Sequence, residues 1–221
     1  NAVKDQISDR IEIFYGSILD ESSLREAIRG CDGVIHLAAY LGVRRTEINS
    51  LRCLDINING TKKVLDAAIH AGTQKIIFAS SSEVYGEPLK NPIHEEDITQ
   101  GKTVYAVSKL AGEELVKAYH AEFETLNYTI LRYFNTYGPY QIAQFVIPKF
   151  IRNVLNDKPP VIYGDGRQER SYNFLEDTAR GTVDALFSQE ANNTTMNIGN
   201  SNALISLKDL GELVIKICGK Q

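Results

Sequence analysis

The sequence has few of the residues that build covalently or metal-stabilised folds. Its 221 residues include no tryptophan, one methionine and three cysteines, Cys31, Cys53 and Cys218. An odd number of widely spaced cysteines without a C-x-x-C pair argues against both a disulfide framework and a zinc site. The four histidines stand apart from one another and from the cysteines, so we predict no metal site. This cysteine usage favours a reducing compartment, and we expect a cytoplasmic protein.

Long apolar runs and a large excess of one charge are lacking as well. The longest apolar stretches, such as residues 34–39, are far shorter than the roughly 18 residues that a membrane span requires. The 24 basic and 28 acidic residues give a net charge of −4 and no polybasic run, so we expect neither a nucleic-acid nor a membrane partner. With 43% hydrophobic and 24% charged residues, the composition predicts a soluble, globular protein.

Apolar runs alternate with helical patterns over the first 134 residues. Short β-branched and aromatic runs predict strands, at residues 10–15, 33–38, 75–79 and 128–133. Apolar residues at helical spacing predict helices, at residues 20–28, 50–72 and 104–123. The second of these helices would turn six side chains inward: Leu51, Leu54, Ile58, Val64, Leu65 and Ala68. Short buried strands that alternate with helices predict an α/β fold with a Rossmann-type, doubly wound parallel sheet.

Glycine and proline interrupt the chain after residue 134 and predict a second, smaller and incomplete C-terminal lobe. A helix near residues 176–188 would return to the first sheet, whereas residues 196–198 and a helix at residues 206–218 would belong to the smaller lobe. The predicted boundaries give a dinucleotide-binding domain and part of a substrate-binding lobe, at residues 1–145 with 171–190 and at residues 146–170 with 191–221.

A hydroxyl, a phenol and an ammonium group follow the third predicted strand. Ser81 comes at its carboxyl end, where open α/β sheets bind ligands. Tyr105 and Lys109 are four positions apart and share one helix face, so the ammonium can lower the pKa of Tyr105 from about 10 towards neutrality. Such a tyrosine can act as a base, and the Ser81 hydroxyl can share the substrate proton.

Each of these features is unremarkable when it occurs alone. A Y-x-x-x-K spacing arises by chance in a chain with 11 tyrosines, and a serine run after a strand is commonly a loop. Their order and their placement on a strand end and a helix make the combination informative. A serine hydrolase is not favoured, because no G-x-S-x-G turn is present.

Seven ordered motifs extend over nearly the whole chain, at residues 15–20, 34–39, 57–61, 80–86, 105–113, 131–139 and 163–172. On these motifs the chain resembles the extended short-chain dehydrogenase/reductases that act on nucleotide sugars, the NAD-dependent epimerase/dehydratase family. The resemblance implies an enzyme with NAD as its cofactor and a nucleotide-diphosphate sugar as its substrate. It also implies a homodimer formed through the helices at residues 50–71 and 104–123.

The resemblance assigns catalytic roles to four residues. Tyr105 would be the base, Lys109 would bind the nicotinamide ribose and tune Tyr105, and Ser81 would bridge Tyr105 to the sugar 4-hydroxyl. Glu83 would be a base at the sugar C5, and its alternative interpretation is a solvent-facing loop carboxylate.

The same resemblance implies two sets of binding residues. Residues that would line the dinucleotide are Ser17, Ile18, Leu37, Ala38, Ala39, Asn57, Tyr105, Lys109, Tyr133 and Phe134. Residues that would contact the substrate are Ser82, Asn135 and Arg170. Several residues of the dinucleotide set have an alternative interpretation as core positions at strand ends. The alternative for Arg170 is a surface cation. Ser17 departs from the family, which carries an aspartate against the adenine.

Two further features of the family are missing from the sequence. The glycine-rich G-x-x-G-x-x-G turn brings backbone N–H groups to the pyrophosphate, and a following acidic residue selects NAD over NADP. The family would place both before Asn1, and its substrate lobe would continue beyond Gln221. We therefore expect the chain to be part of a longer protein.

The resemblance leaves more than one reaction open. We predict a nucleotide-sugar 4-epimerase that works through a transient 4-keto intermediate. A 4,6-dehydratase is disfavoured because Ser82 stands where dehydratases carry the acid that protonates the leaving hydroxyl. Decarboxylases have Thr-Ser-Glu where this chain has Ser-Ser-Glu, which is close to them. The same-fold alternative is a 4,6-dehydratase or a UDP-glucuronate decarboxylase. A non-catalytic dinucleotide-sensing protein would not need Ser81, Tyr105 and Lys109 together.

Overall fold

The computed structural model of the chain describes residues 10–220. Along the chain the elements are α1 (Glu21–Ile28), β1 (Gly33–His36), α2 (Val43–Ile48), α3 (Ser50–Leu54), a π-helical turn (Asp55–Asn59), α4 (Gly60–Ala71), β2 (Lys75–Ser81), a 3-10 turn (Ser82–Tyr85), α5 (Val104–Glu122), β3 (Asn127–Tyr133), β4 (Asn135–Tyr137), α6 (Val146–Leu155), β5 (Glu169–Phe174), α7 (Leu175–Phe187), β6 (Thr194–Ile198), β7 (Leu204–Ser206) and α8 (Leu207–Ile217). None of the helices in this described part of the chain has both the length and the hydrophobicity needed to cross a membrane.

The described residues form two compact units. The first runs to Tyr133 and includes Arg180–Asn197, and the second contains Phe134–Ala179 and the residues from Ile198 onwards. These limits differ from the predicted domain boundaries at residues 145, 170 and 190. The assignment of the two parts to cofactor and substrate remains a prediction.

The first unit is built on a four-stranded sheet of order β1-β2-β3-β6. Strands β1 and β2 are parallel, with Ile35 opposite Ile77, and β2 and β3 are parallel, with Ile77 opposite Thr129. Helices α1, α4 and α5 contribute with β2 and β3 to one core, in which Leu65, Ile76 and Ile130 are fully buried. The predicted α/β class with a parallel, Rossmann-like sheet is confirmed.

Helix ends in this unit follow their local capping chemistry. Asp20 caps α1, because its carboxylate accepts the Ser22 backbone N–H over 3.1 Å. Gly72 ends α4 in the left-handed region at φ 71°, a conformation that costs glycine least. Both limits agree with the boundaries predicted from the sequence.

The predicted helix over residues 50–72 is continuous but contains the π-helical turn. This wider turn shifts the phase of the helical repeat, so positions before it do not share a face with those of α4. Leu51, predicted to point inward, is therefore 84% exposed, while Cys53 and Asn57 are buried.

The strand predicted at residues 10–15 is not formed. These residues have no ladder partner among the described residues, and Ile11, Ile13, Phe14 and Tyr15 are at least 40% exposed. An alternating apolar pattern provides side chains for one face, but a strand also needs a neighbouring backbone to pair with.

The second unit contains a three-stranded sheet of order β4-β5-β7. Strands β4 and β5 are parallel, and β5 and β7 are antiparallel. Phe150 and Val154 of α6 pack with Leu210 and Val214 of α8 in its core. Ser206 caps α8, as predicted. Residues 196–198, expected in the smaller lobe, instead lie in β6 beside β3, because a local pattern does not reveal which strand a segment pairs with.

Candidate active site

The four predicted catalytic residues come together where β2 ends and α5 begins. Ser81 lies close enough to Tyr105 for its side chain to act on the pKa of the phenol. Glu83 and Tyr105 line one small recess, and Lys109 lies one turn further along α5. The remaining residues that line the recess are Gly42, Thr46, Glu47 and Thr103. One hydroxyl, one phenol, one carboxylate and one ammonium thus meet at a single strand end.

Local hydrogen bonds explain why the chain turns at this point. Ser81 ends β2 and accepts the backbone N–H of Glu83 over 3.2 Å, which starts the 3-10 turn. Thr103 caps α5 by accepting the Ala106 backbone N–H over 3.0 Å. The same Thr103 hydroxyl donates to the Glu83 carboxylate over 3.3 Å. The helix cap therefore holds the carboxylate next to the first turn of α5.

The Lys109 ammonium is buried between α5 and β2. Its Nζ donates to the backbone oxygen of Ala79 over 2.6 Å and lies 5.2 Å from the centroid of the Phe78 ring and 5.7 Å from that of Tyr105. Burial lowers the pKa of Lys109 to about 8, and the nearby Cys53 and Glu113 side chains oppose that shift.

The surroundings of Tyr105 raise its pKa above the ordinary value. Burial is the largest cause, Glu83 and Cys53 act in the same direction, and the Ser81 side chain acts against them. The prediction that the Lys109 ammonium lowers the pKa of Tyr105 is therefore wrong. Desolvation is the largest cause of the raised pKa, and the Lys109 ammonium, 5.7 Å from the ring centroid, does not offset it.

Glu83 has an accessible edge but is partly desolvated by the protein around it. Desolvation raises the pKa of Glu83, and the hydrogen bond from Thr103 opposes the shift. A carboxyl group with a raised pKa holds its proton more readily than an ordinary one and is a better proton donor. The side chain that reaches the recess can thus exchange protons with a bound molecule.

Asn57 binds protein groups with its whole amide. Its Oδ1 accepts the Tyr40 backbone N–H over 2.7 Å, and its Nδ2 donates to the Tyr40 oxygen and to Ser108 Oγ over 3.0 and 2.9 Å. The guanidinium groups of Arg45 and Arg52 lie 4.8 and 5.7 Å from the centroid of the Tyr40 ring. Asn57 thus fixes the loop after β1 to α5. An influence of Asn57 on a bound cofactor would therefore be indirect, through the position of this loop.

Other residues predicted to line a dinucleotide are dispersed in the first unit. Leu37 and Ala38 follow β1 and are exposed, Leu37 by 58%, and Ala39 is half-buried. Ile18 packs on the core, and the exposed Ser17 accepts the backbone N–H of Leu19 over 3.2 Å. The Tyr133 hydroxyl lies 2.8 Å from Thr182 Oγ1. Ser82 opens the 3-10 turn and is half-buried.

Three predicted residues lie in the second unit. Phe134 donates its backbone N–H to the oxygen of Ile198 over 2.9 Å. Asn135 on β4 donates to the backbone oxygen of Ser171 on β5 over 3.4 Å. The exposed Arg170 on β5 donates to the backbone oxygen of Glu169 over 2.7 Å.

Sequence reasoning missed several residues of the site. Thr103 carried a signal, because a threonine two positions before Tyr105 is placed to cap the helix. Glu47 carried none, since its position depends on how the loop after β1 folds over α5. Within residues 10–220, no three His, Cys, Asp or Glu side chains are grouped so that they could hold a metal ion.

Comparisons with known proteins agree with this architecture. Residues 1–199 match the model of the NAD dependent epimerase/dehydratase family. The chain is 36% identical to a UDP-N-acetyl-α-D-glucosaminuronate decarboxylase of Bacillus cytotoxicus, over 90% of this chain and 63% of the relative. It is 33% identical to a UDP-glucuronate 4-epimerase of Thermodesulfobacterium geofontis, over 85% of this chain and 57% of the relative. The chain therefore spans about three-fifths of the length of these two relatives.

Solved structures are similar over almost the whole chain. The UDP-glucuronic acid 4-epimerase of Bacillus cereus, crystallised with UDP-glucuronic acid and NAD, is 33% identical with a TM-score of 0.92, covering 99% of this chain and 69% of that one. A dTDP-glucose 4,6-dehydratase of Streptomyces venezuelae, crystallised with NAD, is 27% identical with a TM-score of 0.90, covering 98% of this chain and 66% of that one. The named reactions of these similar proteins differ from one another.

Proposed function

Because this chain belongs to the NAD-dependent epimerase/dehydratase family, we propose that the protein oxidises a nucleotide-diphosphate sugar at C4 and reduces the product again, as a 4-epimerase. The observation that carries this proposal is the convergence of three groups: Ser81 at the end of β2, Tyr105 in the first turn of α5, and the Lys109 ammonium 5.7 Å from the Tyr105 ring centroid. These groups suffice to move one proton to and from a sugar hydroxyl.

The residues at the carboxyl ends of β1 and β2 fit the nicotinamide end of NAD. An ammonium group has three protons to donate, and Lys109 directs one of them to Ala79, so others can meet ribose hydroxyls. Leu37 exposes an apolar side chain just beyond β1, as a flat ring would require. When bound, NAD would accept a hydride from the sugar carbon and return it.

The chain's own residues would handle the proton. Tyr105 as phenolate removes it from the sugar 4-hydroxyl, and Ser81 keeps that hydroxyl and the phenol in one hydrogen-bonded line. The configuration would invert if the 4-keto sugar turned its other face towards the cofactor before the hydride came back to C4, and Tyr105 would then return the proton to the sugar oxygen. No second acid or base is needed for this reaction.

A second candidate, decarboxylation of a nucleotide-linked uronic acid, is favoured by Glu83. Once C4 is a ketone, the C6 carboxylate can leave as CO₂, because the ketone accepts the electron pair. The enol carbon at C5 then needs a proton. Glu83 lines the same recess as Tyr105 and has a raised pKa, so it is suited to donate one.

Product masses distinguish the two reactions. The protein is incubated with NAD and with UDP-, dTDP- and GDP-linked hexoses and uronic acids, and the products are examined by mass spectrometry and sugar analysis. An unchanged mass with an inverted C4 supports the epimerase, and loss of CO₂ or of water supports a lyase. Tyr105→Phe is the control and should be inactive while it still binds NAD. No conversion of any nucleotide sugar would contradict the proposal.

A further inference from the structure

A buried ion pair lies beside the candidate active site and takes no part in the proposed chemistry. The side chains of Glu113 on α5 and Arg132 on β3 are 1% and 6% exposed. Arg132 Nε donates to Glu113 Oε1 over 3.0 Å, and Nη2 donates to Oε2 over 2.8 Å. Two parallel hydrogen bonds between charged groups fix both position and orientation. The helix that carries Tyr105 and Lys109 is thereby fixed against β3.

Both members of the pair also reach the chain on either side of the catalytic segment. Ser80 Oγ donates to Glu113 Oε1 over 2.5 Å. Arg132 Nη1 donates to the Tyr85 hydroxyl over 2.9 Å. Ser80 and Tyr85 enclose residues 81–84, the segment that supplies the catalytic hydroxyl and the carboxylate. The ion pair therefore holds this segment at both of its ends.

The polar groups that Arg132 and Tyr85 contact beyond the ion pair also have hydrogen-bond partners. Arg132 Nη1 also donates to the backbone oxygen of Glu95 over 2.9 Å, and the Tyr85 hydroxyl donates to Asn197 Oδ1 over 2.7 Å. The Asn197 backbone N–H donates to the Glu95 carboxylate over 2.7 Å. A buried polar network whose members all have partners is rigid, because each displacement would leave a buried group without its hydrogen bond.

We propose that Glu113 is a positioning residue for the reaction: through Ser80 on one side, and through Arg132 and Tyr85 on the other, it holds residues 81–84 against α5. The inference rests on the proposed function. Proton transfer needs the reacting atoms within a few tenths of an ångström of their productive positions, so a looser segment lowers the rate even when the fold is intact.

Ser80→Ala tests the proposal with the least damage, because it leaves the ion pair in place. Thr129→Val is the matched control: Thr129 is buried in the neighbouring strand β3, and its hydroxyl donates to the Ala191 backbone oxygen over 2.6 Å. Each variant removes one buried hydrogen bond, so both should lower Tm by a similar amount. We expect Ser80→Ala to lower kcat on the order of 10-fold with KM unchanged, and Thr129→Val to keep the wild-type kcat.

The pH dependence of kcat gives a readout that a loss of stability would not change. Tyr105 is faced by Ser81 and Glu83 from the end of β2, by Cys53 from α3, and by Lys109 from its own helix. Glu47 of α2 lines the same recess. The Ser81 side chain lowers the pKa of Tyr105, so displacing it should move the alkaline rise in kcat to higher pH in Ser80→Ala and not in Thr129→Val.

The outcomes separate this inference from the proposed function. If the wild-type protein converts no nucleotide sugar, the proposed function fails and the inference fails with it. If the wild type is active and Ser80→Ala has the same kcat and pH profile, only the inference is overturned. Equal losses of activity in Ser80→Ala and Thr129→Val would also overturn it. Glu113→Gln, which keeps the side-chain shape, should lower kcat further, and wild-type kcat in this variant would count against the proposal.

Discussion

The Lys109 ammonium nitrogen lies 2.6 Å from the backbone oxygen of Ala79, two residues before Ser81. Its charge is buried, so replacing it with an apolar side chain of similar length removes a desolvated cation and should cost little stability. We expect Lys109→Met to have a Tm close to that of the wild type and a turnover at least about 100-fold lower.

Lys75→Met is the control for this variant. Lys75 begins β2, burial lowers its pKa, and its Nζ donates to the backbone oxygen of Ser188 over 2.6 Å. Like Lys109, it is a buried ammonium group that donates to a backbone oxygen, but it lies at the opposite end of β2. Calorimetry and turnover assays should show full activity for Lys75→Met, and a similar loss of turnover in both variants would contradict a catalytic role for Lys109.

Glu83→Gln should change the pH at which Tyr105 ionises. The negative charge of Glu83 raises the pKa of Tyr105, so its removal lowers that pKa. Since the reaction needs the phenolate, the alkaline rise in kcat should move to lower pH. Glu47→Gln removes a second carboxylate from the same recess and is the control. An unchanged pH profile in Glu83→Gln would show that its charge does not act on the base.

Asn57→Ala should weaken the attachment of the loop after β1 to α5. Three hydrogen bonds to Tyr40 and Ser108 are lost, and the Tyr40 backbone N–H loses its acceptor. We expect urea denaturation to show a loss of about 2–4 kcal/mol. The neighbouring Asn59 is exposed and bonds Asp55 only at the surface, so Asn59→Ala should cost less than about 1 kcal/mol. Equal losses would contradict this account.

His36 should make the stability depend on pH. It is 5% exposed, and burial, assisted by the positive charge of Lys109, lowers its pKa to about 4. Thr61 gives its hydroxyl proton to the Asn57 backbone oxygen, so neutral His36 donates from Nε2 to Thr61 Oγ1. An unfolded chain binds a proton near pH 6.5. The contribution of neutral His36 to the free energy of unfolding is therefore complete above pH 6.5 and is lost as the pH falls towards 4.

Between pH 7 and pH 4, His36 should lower the free energy of unfolding by about 3 kcal/mol. Urea denaturation at a series of pH values measures it against His36→Gln, which can still hydrogen-bond Thr61 but does not titrate. The variant should have the flatter curve in this interval. Parallel curves for the two proteins would contradict the buried, neutral state of His36.

The sequence predicts best what short-range chemistry determines. Asp20 and Gly72 set helix ends through their own backbone and side-chain preferences, and Ser81, Tyr105 and Lys109 are linked by one strand end and one helix turn. The prediction at residues 10–15 failed because a strand depends on a partner that its own residues do not encode. The pKa of Tyr105 was mispredicted because burial and the charge of Glu83 arise only in the folded chain.

The π-helical turn at Asp55–Asn59 makes this helical region sensitive to its length. Removing one residue from it would restore the ordinary repeat and rotate α4 by about 100° relative to α3. The Val64 and Leu65 side chains would then swing out of the core, or else Asn57 would turn away from Tyr40. Evolution or design can therefore vary the amino acids at most of these five positions, but an insertion or deletion there would uncouple the hydrophobic core from the loop after β1.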